Sequence, residues 1–227
     1  MSTAASLRSS GPEPWQRGPY AEAVCAAQGV LTLRDAEGWC LPLDIRRWSA
    51  EADAADRSVV DRCAGRVLDI GCGAGRLVEE LSRRGQRVLG IDVCPTAVIS
   101  TICRGGRAAS RSVFEPLPNE GHWDTALLVD GNIGIGGDPR RLLERIRRVV
   151  RFRGILIVET APADVDERRR VRIHAGQTAK GPFFAWATVG SRALVWHARK
   201  SGWTLVEQWT DASPAGERHF VALRALV

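Results

Sequence analysis

The run Val67-Leu68-Asp69-Ile70-Gly71-Cys72-Gly73-Ala74-Gly75-Arg76 constrains the fold more than any other stretch of the chain. It reads as a buried strand entering a Gly-x-Gly-x-Gly turn and then a helix. Glycines suit such a turn because the backbone must reverse sharply and lie against a ligand with no Cβ atoms between. The turn also leaves free amides at a helix N-terminus. A glycine triplet by itself is a weak signal, but Asp92 ends the next strand-like segment, Leu89-Gly90-Ile91-Asp92-Val93. A carboxylate at that strand tip can accept hydrogen bonds from both ribose hydroxyls of an adenosine-containing cofactor. The two features at matching topological positions point to a nucleoside site rather than a purely structural turn. A dinucleotide fingerprint G-x-G-x-x-G is not met, since Arg76 holds the third glycine position, and no G-K-[ST] ending makes a P-loop. Asp69, two residues before the first glycine, is placed to reach a cofactor amino group through water.

From residue 66 onward the pattern alternates as successive βα units of a parallel sheet, with strands expected at 66–70, 86–91, 109–113, 125–129 and 155–158. Helices are expected at 76–84, 96–103 and 140–150. Asp138-Pro139 supplies an N-cap and a first-turn proline for the last of these, and Gly154 closes the unit. In that helix Leu142, Leu143, Ile146, Val149 and Val150 share one face, so its arginines read as a solvated face. After a polar excursion come a helix at 191–201 and strands at 204–209 and 220–226, which suit an antiparallel hairpin at the sheet edge. Ahead of the βα units, 30–33 and 39–45 flank a turn and read as a β-hairpin, either a lid over the site or a packed decoration. A helix is expected within 49–63, with Ser49 as N-cap and Asp53 in its first turn. The organisation expected is a disordered start (1–14), an N-terminal extension (15–64) and one main domain (65–227).

At 227 residues, 44% hydrophobic and 26% charged, the chain suffices for one such domain and no second full one. Its net charge of +6 invites a nucleic-acid partner. Lysine, however, occurs only at Lys180 and Lys200, and the abundance of Arg, Ala and Gly looks like a compositional bias more than a binding face. The six cysteines are dispersed without C-x-x-C pairs and follow no export signal, which suggests reduced thiols in a cytoplasmic protein. No apolar run is long enough to span a bilayer, and neither a membrane anchor nor a metal site is indicated.

The glycine turn resembles motif I of the class I, Rossmann-like S-adenosylmethionine-dependent methyltransferases, and Gly90-Ile91-Asp92-Val93 resembles their acidic second-strand motif. Trp123 to Asp130 looks like their fourth strand, and Arg153 to Glu159 like the turn and fifth strand. The resemblance implies an α/β fold: a seven-stranded, mostly parallel, doubly wound sheet of order 3-2-1-4-5-7-6 with the last strand antiparallel. It implies S-adenosylmethionine as cofactor and S-adenosylhomocysteine as product. Asp69, Gly71, Gly73 and Gly75, with Cys72 in the same turn, would surround the methionine half. Asp92 would hold the ribose, Val93 would lie beside the adenine, and Asp130 would lie near the amino acid moiety. Many members place an Asp after the third strand for the adenine amine; here Ser112 or the backbone near Val113 must serve. The loop after the fourth strand lacks an Asn-Pro-Pro-Tyr signature, and residues 130–139 look like a group of bacterial methyltransferases of mostly unassigned substrate, often expected in specialised metabolism.

Methyl transfer is an in-line displacement, so the protein chiefly has to align acceptor and methyl group. Where a general base helps, the candidates are Asp130 and His174; the alternatives are that Asp130 only holds the cofactor or its loop and that His174 is a packing or surface residue. Asn132 in the glycine loop, and Arg172, Phe183, Phe184 and Trp186 in the polar excursion, are the candidate acceptor contacts. Aromatics beside arginines suit a planar or anionic acceptor or stacked bases, or else pack as core beneath a loop. The reading favoured is a methyltransferase for a small molecule in specialised metabolism. An RNA methyltransferase, which would bind RNA in a salt-sensitive way, and a non-catalytic cofactor-binding partner protein are the alternatives.

Overall fold

The computed structural model describes residues 15–16, 18–213 and 216–226; the expected disordered start at 1–14 lies outside them. The glycine turn joins β3 (Arg66–Ile70) to α4 (Arg76–Arg83), and the next units are β4 (Arg87–Asp92), α5 (Pro95–Cys103) and β5 (Ala108–Ser110). Then follow β6 (Trp123–Leu128), a single 3-10 turn (Asn132–Gly134), α6 (Pro139–Val149), β7 (Val150–Thr160), α7 (Ser191–Lys200), β10 (Trp203–Ser213) and β11 (Gly216–Ala225). The sheet order is β10-β11-β7-β6-β3-β4-β5. Numbered by the seven strands read from the sequence, that is 3-2-1-4-5-7-6, with β11 antiparallel to both neighbours and the other pairs parallel.

The inner strands are buried on both faces, and their side chains divide with the period of two that a pleated strand imposes. Leu68, Ala126, Leu128, Leu156, Val221 and Leu223 meet α6 and α7 on one side. Val67, Leu127, Ile157, Phe220 and Ala222 meet α4 and a short helix, α3 (Ala54–Asp61), on the other. Leu68 and Leu127 are fully buried, so truncating either to alanine should cost about 2–5 kcal/mol.

Over the carboxyl ends of these strands lies a second, antiparallel sheet of order β2-β1-β8-β9. The expected N-terminal hairpin supplies β1 (Leu31–Arg34) and β2 (Cys40–Leu43), and the polar excursion is itself a hairpin, β8 (Asp166–Ala175) and β9 (Thr178–Val189). Strand β1 pairs with β8, Leu33 opposite Ile173. This hairpin was hidden in the sequence because its arginines alternate outward: Arg168 and Arg170 are exposed while Val171 and Ile173 turn into the core. A helix α1 (Pro19–Ala26) packs beneath the second sheet, Tyr20 and Val24 joining Leu31, Leu33, Val171 and Ile173 in one apolar cluster.

Three local expectations need correction. The helix expected within 49–63 is α3, but its N-cap is Asp53 and not Ser49, and a further short helix, α2 (Ile45–Ser49), capped by the Asp44 carboxylate accepting from Arg47 N, precedes it. Ser49 is therefore the last residue of α2. Asp53 and Asp56 form a reciprocal capping box, which explains why α3 begins there. The third strand is shorter than expected, because the chain turns at 111–114. Gly154 lies inside β7, after Arg153 at φ 60°, where the pairing with β6 shifts register. No helix among the described residues is long and apolar enough to cross a membrane, and all six cysteines are free thiols.

Candidate functional site

A cavity of about 490 Å³ lies between the two sheets, within the range of small-molecule sites, about 300–1,000 Å³. Its floor is the glycine turn. Gly71 and Cys72 donate their amides to Ile91 O at 2.8 and 3.0 Å, which bends the turn over the end of β4. Gly71 has φ 75°, and a Cβ there would meet the Asn132 amide at 2.6 Å; Gly75 has φ 93°, and a Cβ would meet the Thr101 backbone at 2.8 Å. Neither position accepts another residue without strain.

Asp92, at the tip of β4, accepts from Gly73 N at 3.0 Å and Cys94 N at 2.8 Å. Burial raises its pKa, and these amides offset part of the rise. Asp69 is 3% exposed and lines the cavity. Burial, reinforced by the charges of Asp130, Asp92 and Asp56, pushes its pKa to about 7. Among the described residues no hydrogen-bond donor reaches its carboxylate, so the group faces the cavity in need of a cation or donor. Val93, Ser112 and Val113 line the same end, with Ser112 Oγ accepting from Phe114 N at 3.3 Å.

Asp130 follows β6 with φ 59°, a left-handed conformation that for a non-glycine residue is sustained only by its surroundings. Those surroundings are a buried ionic network that joins six elements. The Asp130 carboxylate binds Arg47 of α2 and, at 2.9 Å, Arg76 Nη2 of α4. Its amide donates to Glu159 of β7 at 2.7 Å. Arg218 of β11 grips Glu159 at 2.8 Å and Asp56 of α3 at 2.8 Å. Burial works to raise the Asp130 pKa, but Arg76, Arg47 and Arg218 outweigh it and the net shift is downward. A carboxylate so held is a poor proton acceptor, and its geometry is that of an anchor for the glycine loop.

Not every residue singled out from the sequence reaches the cavity. Asp69, Gly71, Cys72, Gly73, Asp92, Val93, Ser112, Val113, Asp130, Asn132, Phe184 and Trp186 line it; Gly75, Arg172, His174 and Phe183 do not. Gly75 is the N-cap of α4, packed on α5. His174 sits opposite Thr32 in the second sheet, its pKa lowered by burial and by Arg34 and Arg172. Arg172 stacks on Phe183, 4.8 Å from the ring centroid, away from the chamber. Asn132 spends both amide hydrogens on Ile70 O and Gly71 O at 2.9 and 3.0 Å, tying the loop after β6 to the glycine turn. The sequence reading missed Arg47 and Arg218, whose partners lie far away in the chain, and the rings of Trp15, Tyr20 and Trp48, which line the cavity from the N-terminal segment. Part of the arginine-rich stretches is paired with carboxylates: Arg169 binds Asp35 and Glu167, Arg168 binds Asp166, and Arg145 binds Glu120.

A doubly wound sheet of this order, with a glycine turn on its first strand and a carboxylate closing its second, defines the Rossmann-like methyltransferase class. Residues 44–208 match the family model described as a methyltransferase domain, and the chain belongs to that family. The ubiquinone biosynthesis O-methyltransferase of Azorhizobium caulinodans is 31% identical over 100 residues, 42% of this chain and 40% of that enzyme. The match thus spans less than half of that relative. In fold the chain is similar to an S-adenosylmethionine-dependent methyltransferase from Bacteroides fragilis in complex with S-adenosylhomocysteine, with TM-score 0.72, 16% identity and coverage of 91% of this chain and 92% of that one. It is also similar to the 1,6-didemethyltoxoflavin N1-methyltransferase of Burkholderia thailandensis, with TM-score 0.59, 21% identity and coverage of 80% and 81%. S-adenosylmethionine is the cofactor of this class. The residues present fit it: an unpartnered buried carboxylate for an ammonium, a strand-tip Asp for a ribose, and a turn that no Cβ obstructs.

Proposed function

We propose that this protein transfers the methyl group of S-adenosylmethionine to a small-molecule acceptor in specialised metabolism. The observation that carries the reading is Asp69, buried at the cavity floor without a hydrogen-bond donor, beside the glycine turn and Asp92. Asp69 would pair with the cofactor's ammonium, Asp92 with its ribose hydroxyls, and Val93, Ser112 and Val113 with its adenine. Bound there, the cofactor supplies an electrophilic sulfonium methyl. The chain's own part is to hold the acceptor in line with it and keep water out. With Asp130 held by arginines and His174 outside the chamber, neither is placed to take the acceptor's proton.

The enclosed chamber supports a small acceptor. The names of two similar proteins, a 1,6-didemethyltoxoflavin N1-methyltransferase and a ubiquinone biosynthesis O-methyltransferase, support it. Arg145, Arg168 and Arg169 are held in ion pairs with carboxylates, which reduces the charge offered to a phosphate backbone and weighs against the RNA reading.

The test is calorimetric titration with S-adenosylhomocysteine, alongside Asp92→Ala and an NADH control. Micromolar binding lost in Asp92→Ala supports the reading, whereas NADH binding without S-adenosylhomocysteine binding overturns it.

A further inference from the structure

The upper half of the chamber is walled by aromatic rings from two separate segments. Trp15 stands edge-on to Tyr20 at 5.1 Å and to Phe184 at 5.3 Å between ring centroids, and lies 5.6 Å from Trp186. Tyr20 meets Trp48 at 6.5 Å, and Phe184 meets Trp186 at 6.3 Å with their planes perpendicular. All five rings line the cavity, Trp15, Tyr20 and Trp48 from the N-terminal side and Phe184 and Trp186 from β9. Trp186 is 7% exposed, and its indole N–H is buried with no hydrogen-bond partner. That ring is fixed where it stands, because a Cβ on Gly134 of the glycine loop would come within 2.5 Å of it and Trp186 forms a backbone bridge to Ile135. A Cβ on Gly134 would also come within 2.6 Å of the indole nitrogen, so the N–H edge is packed against the glycine loop and Trp186 offers the chamber its ring surface.

Size narrows the ligand further. The cavity of about 490 Å³ has to be shared with an adenosyl cofactor, which restricts the acceptor to a compact molecule. Resting on the methyltransferase reading, we infer that the acceptor is a compact, planar aromatic or heteroaromatic molecule. It is held face and edge among Trp15, Tyr20, Phe184 and Trp186. Aromatic walls favour such a molecule over an aliphatic one of equal size through offset and edge-on ring contacts. Because the walls come from segments far apart in the chain, the site exists only when the N-terminal segment is seated on β9.

The experiment titrates protein saturated with S-adenosylhomocysteine, by calorimetry, with mono- and bicyclic phenols, hydroxyquinolines and pteridines. Each planar probe is set against a saturated counterpart, such as 2-naphthol against decahydro-2-naphthol. At least one planar probe should bind ten times or more tighter than its saturated counterpart. Trp186→Phe should weaken it about fivefold, through the smaller ring face left at that wall. Trp15→Leu, in the partly exposed cover, should weaken it about tenfold with S-adenosylhomocysteine affinity unchanged. Equal binding of planar and saturated probes, no planar probe bound, or indifference to Trp15→Leu would each overturn the inference. Failure of S-adenosylhomocysteine itself to bind would instead overturn the methyltransferase reading on which it rests.

Discussion

Asp69 makes cofactor binding a proton-linked event. In the free protein its pKa stands at about 7, raised chiefly by burial, while the form that pairs with an ammonium is the carboxylate. The proton must therefore leave before or as the cofactor enters, and lowering the pH favours the form that cannot bind. With a free-state pKa near 7 and a bound-state pKa back in the ordinary range, affinity for S-adenosylhomocysteine should fall about fivefold from pH 7 to pH 6, and about tenfold for the next unit. At pH 6.5 about three-quarters of a proton should be released per site, measurable by calorimetry in two buffers of different ionisation enthalpy. The same shift acts on stability with the opposite sense of use. The folded-state pKa lies above the ordinary 3.8, so the protonated acid contributes stability that is present below about pH 4 and lost as pH rises through 7. Three units correspond to at most about 4 kcal/mol. Asp69→Asn should therefore raise the stability of the free protein at pH 8 while binding S-adenosylhomocysteine weakly and without this pH dependence. A wild-type affinity that is flat between pH 6 and 7, or an Asn variant that keeps the full dependence, would refute the reasoning.

Other perturbations test the frame around the site. Arg218→Met removes the cation shared by Glu159 and Asp56 and should cost about 3–5 kcal/mol, because buried carboxylates lose their partner; urea unfolding reads it, and a loss under 1 kcal/mol would count against the network. His174→Gln should leave the methylation rate within about twofold, since the ring lies outside the chamber, and a loss of a hundredfold or more, in the range a general base supplies, would return it to the mechanism. Asp53→Ala should lower stability by about 1 kcal/mol through loss of the α3 cap, seen as a shifted urea midpoint with unchanged slope. Gly134→Ala should destabilise the protein and impair acceptor binding, because the new methyl would meet Ala187 O at 2.4 Å; unfolding and binding titrations that match wild type would contradict that close approach.

The central sheet was legible because its determinants are local. Glycines 71, 73 and 75, the acid at 92 and the Asp138-Pro139 cap each act within a few residues of themselves, and buried parallel strands announce themselves as apolar runs. The cofactor half of the cavity follows from that sheet, since loops at the carboxyl ends of its strands must carry the ligand. What the sequence concealed was pairing over distance. Nothing around Arg34 indicates that it lies opposite Arg172, and nothing near Arg47 or Arg218 indicates that both turn toward Asp130. Alternation in Arg170-Val171-Arg172-Ile173 was present but lay within a run of arginines that read more readily as a solvated excursion. Phe183 and Phe184 were adjacent candidates of equal standing. Only the pleat separates them, turning one onto Arg172 and the other into the chamber.

The β8–β9 hairpin leaves and rejoins the main chain at nearly one point, where Ala161 N reaches Val189 O at 2.9 Å and Gly190 N reaches Val165 O at 2.8 Å. By its endpoints it looks like a cassette that could be exchanged between related proteins. Its free edge, however, is completed by β1, from the opposite end of the chain. A transplant of residues 162–190 alone would arrive without its partner strand, and with a row of unpaired amides and carbonyls open to other molecules. Chimeras that carry residues 15–45 along with it should stay soluble where single-segment swaps aggregate. Descendants of this chain that take up a new acceptor would then be expected to alter both segments in concert.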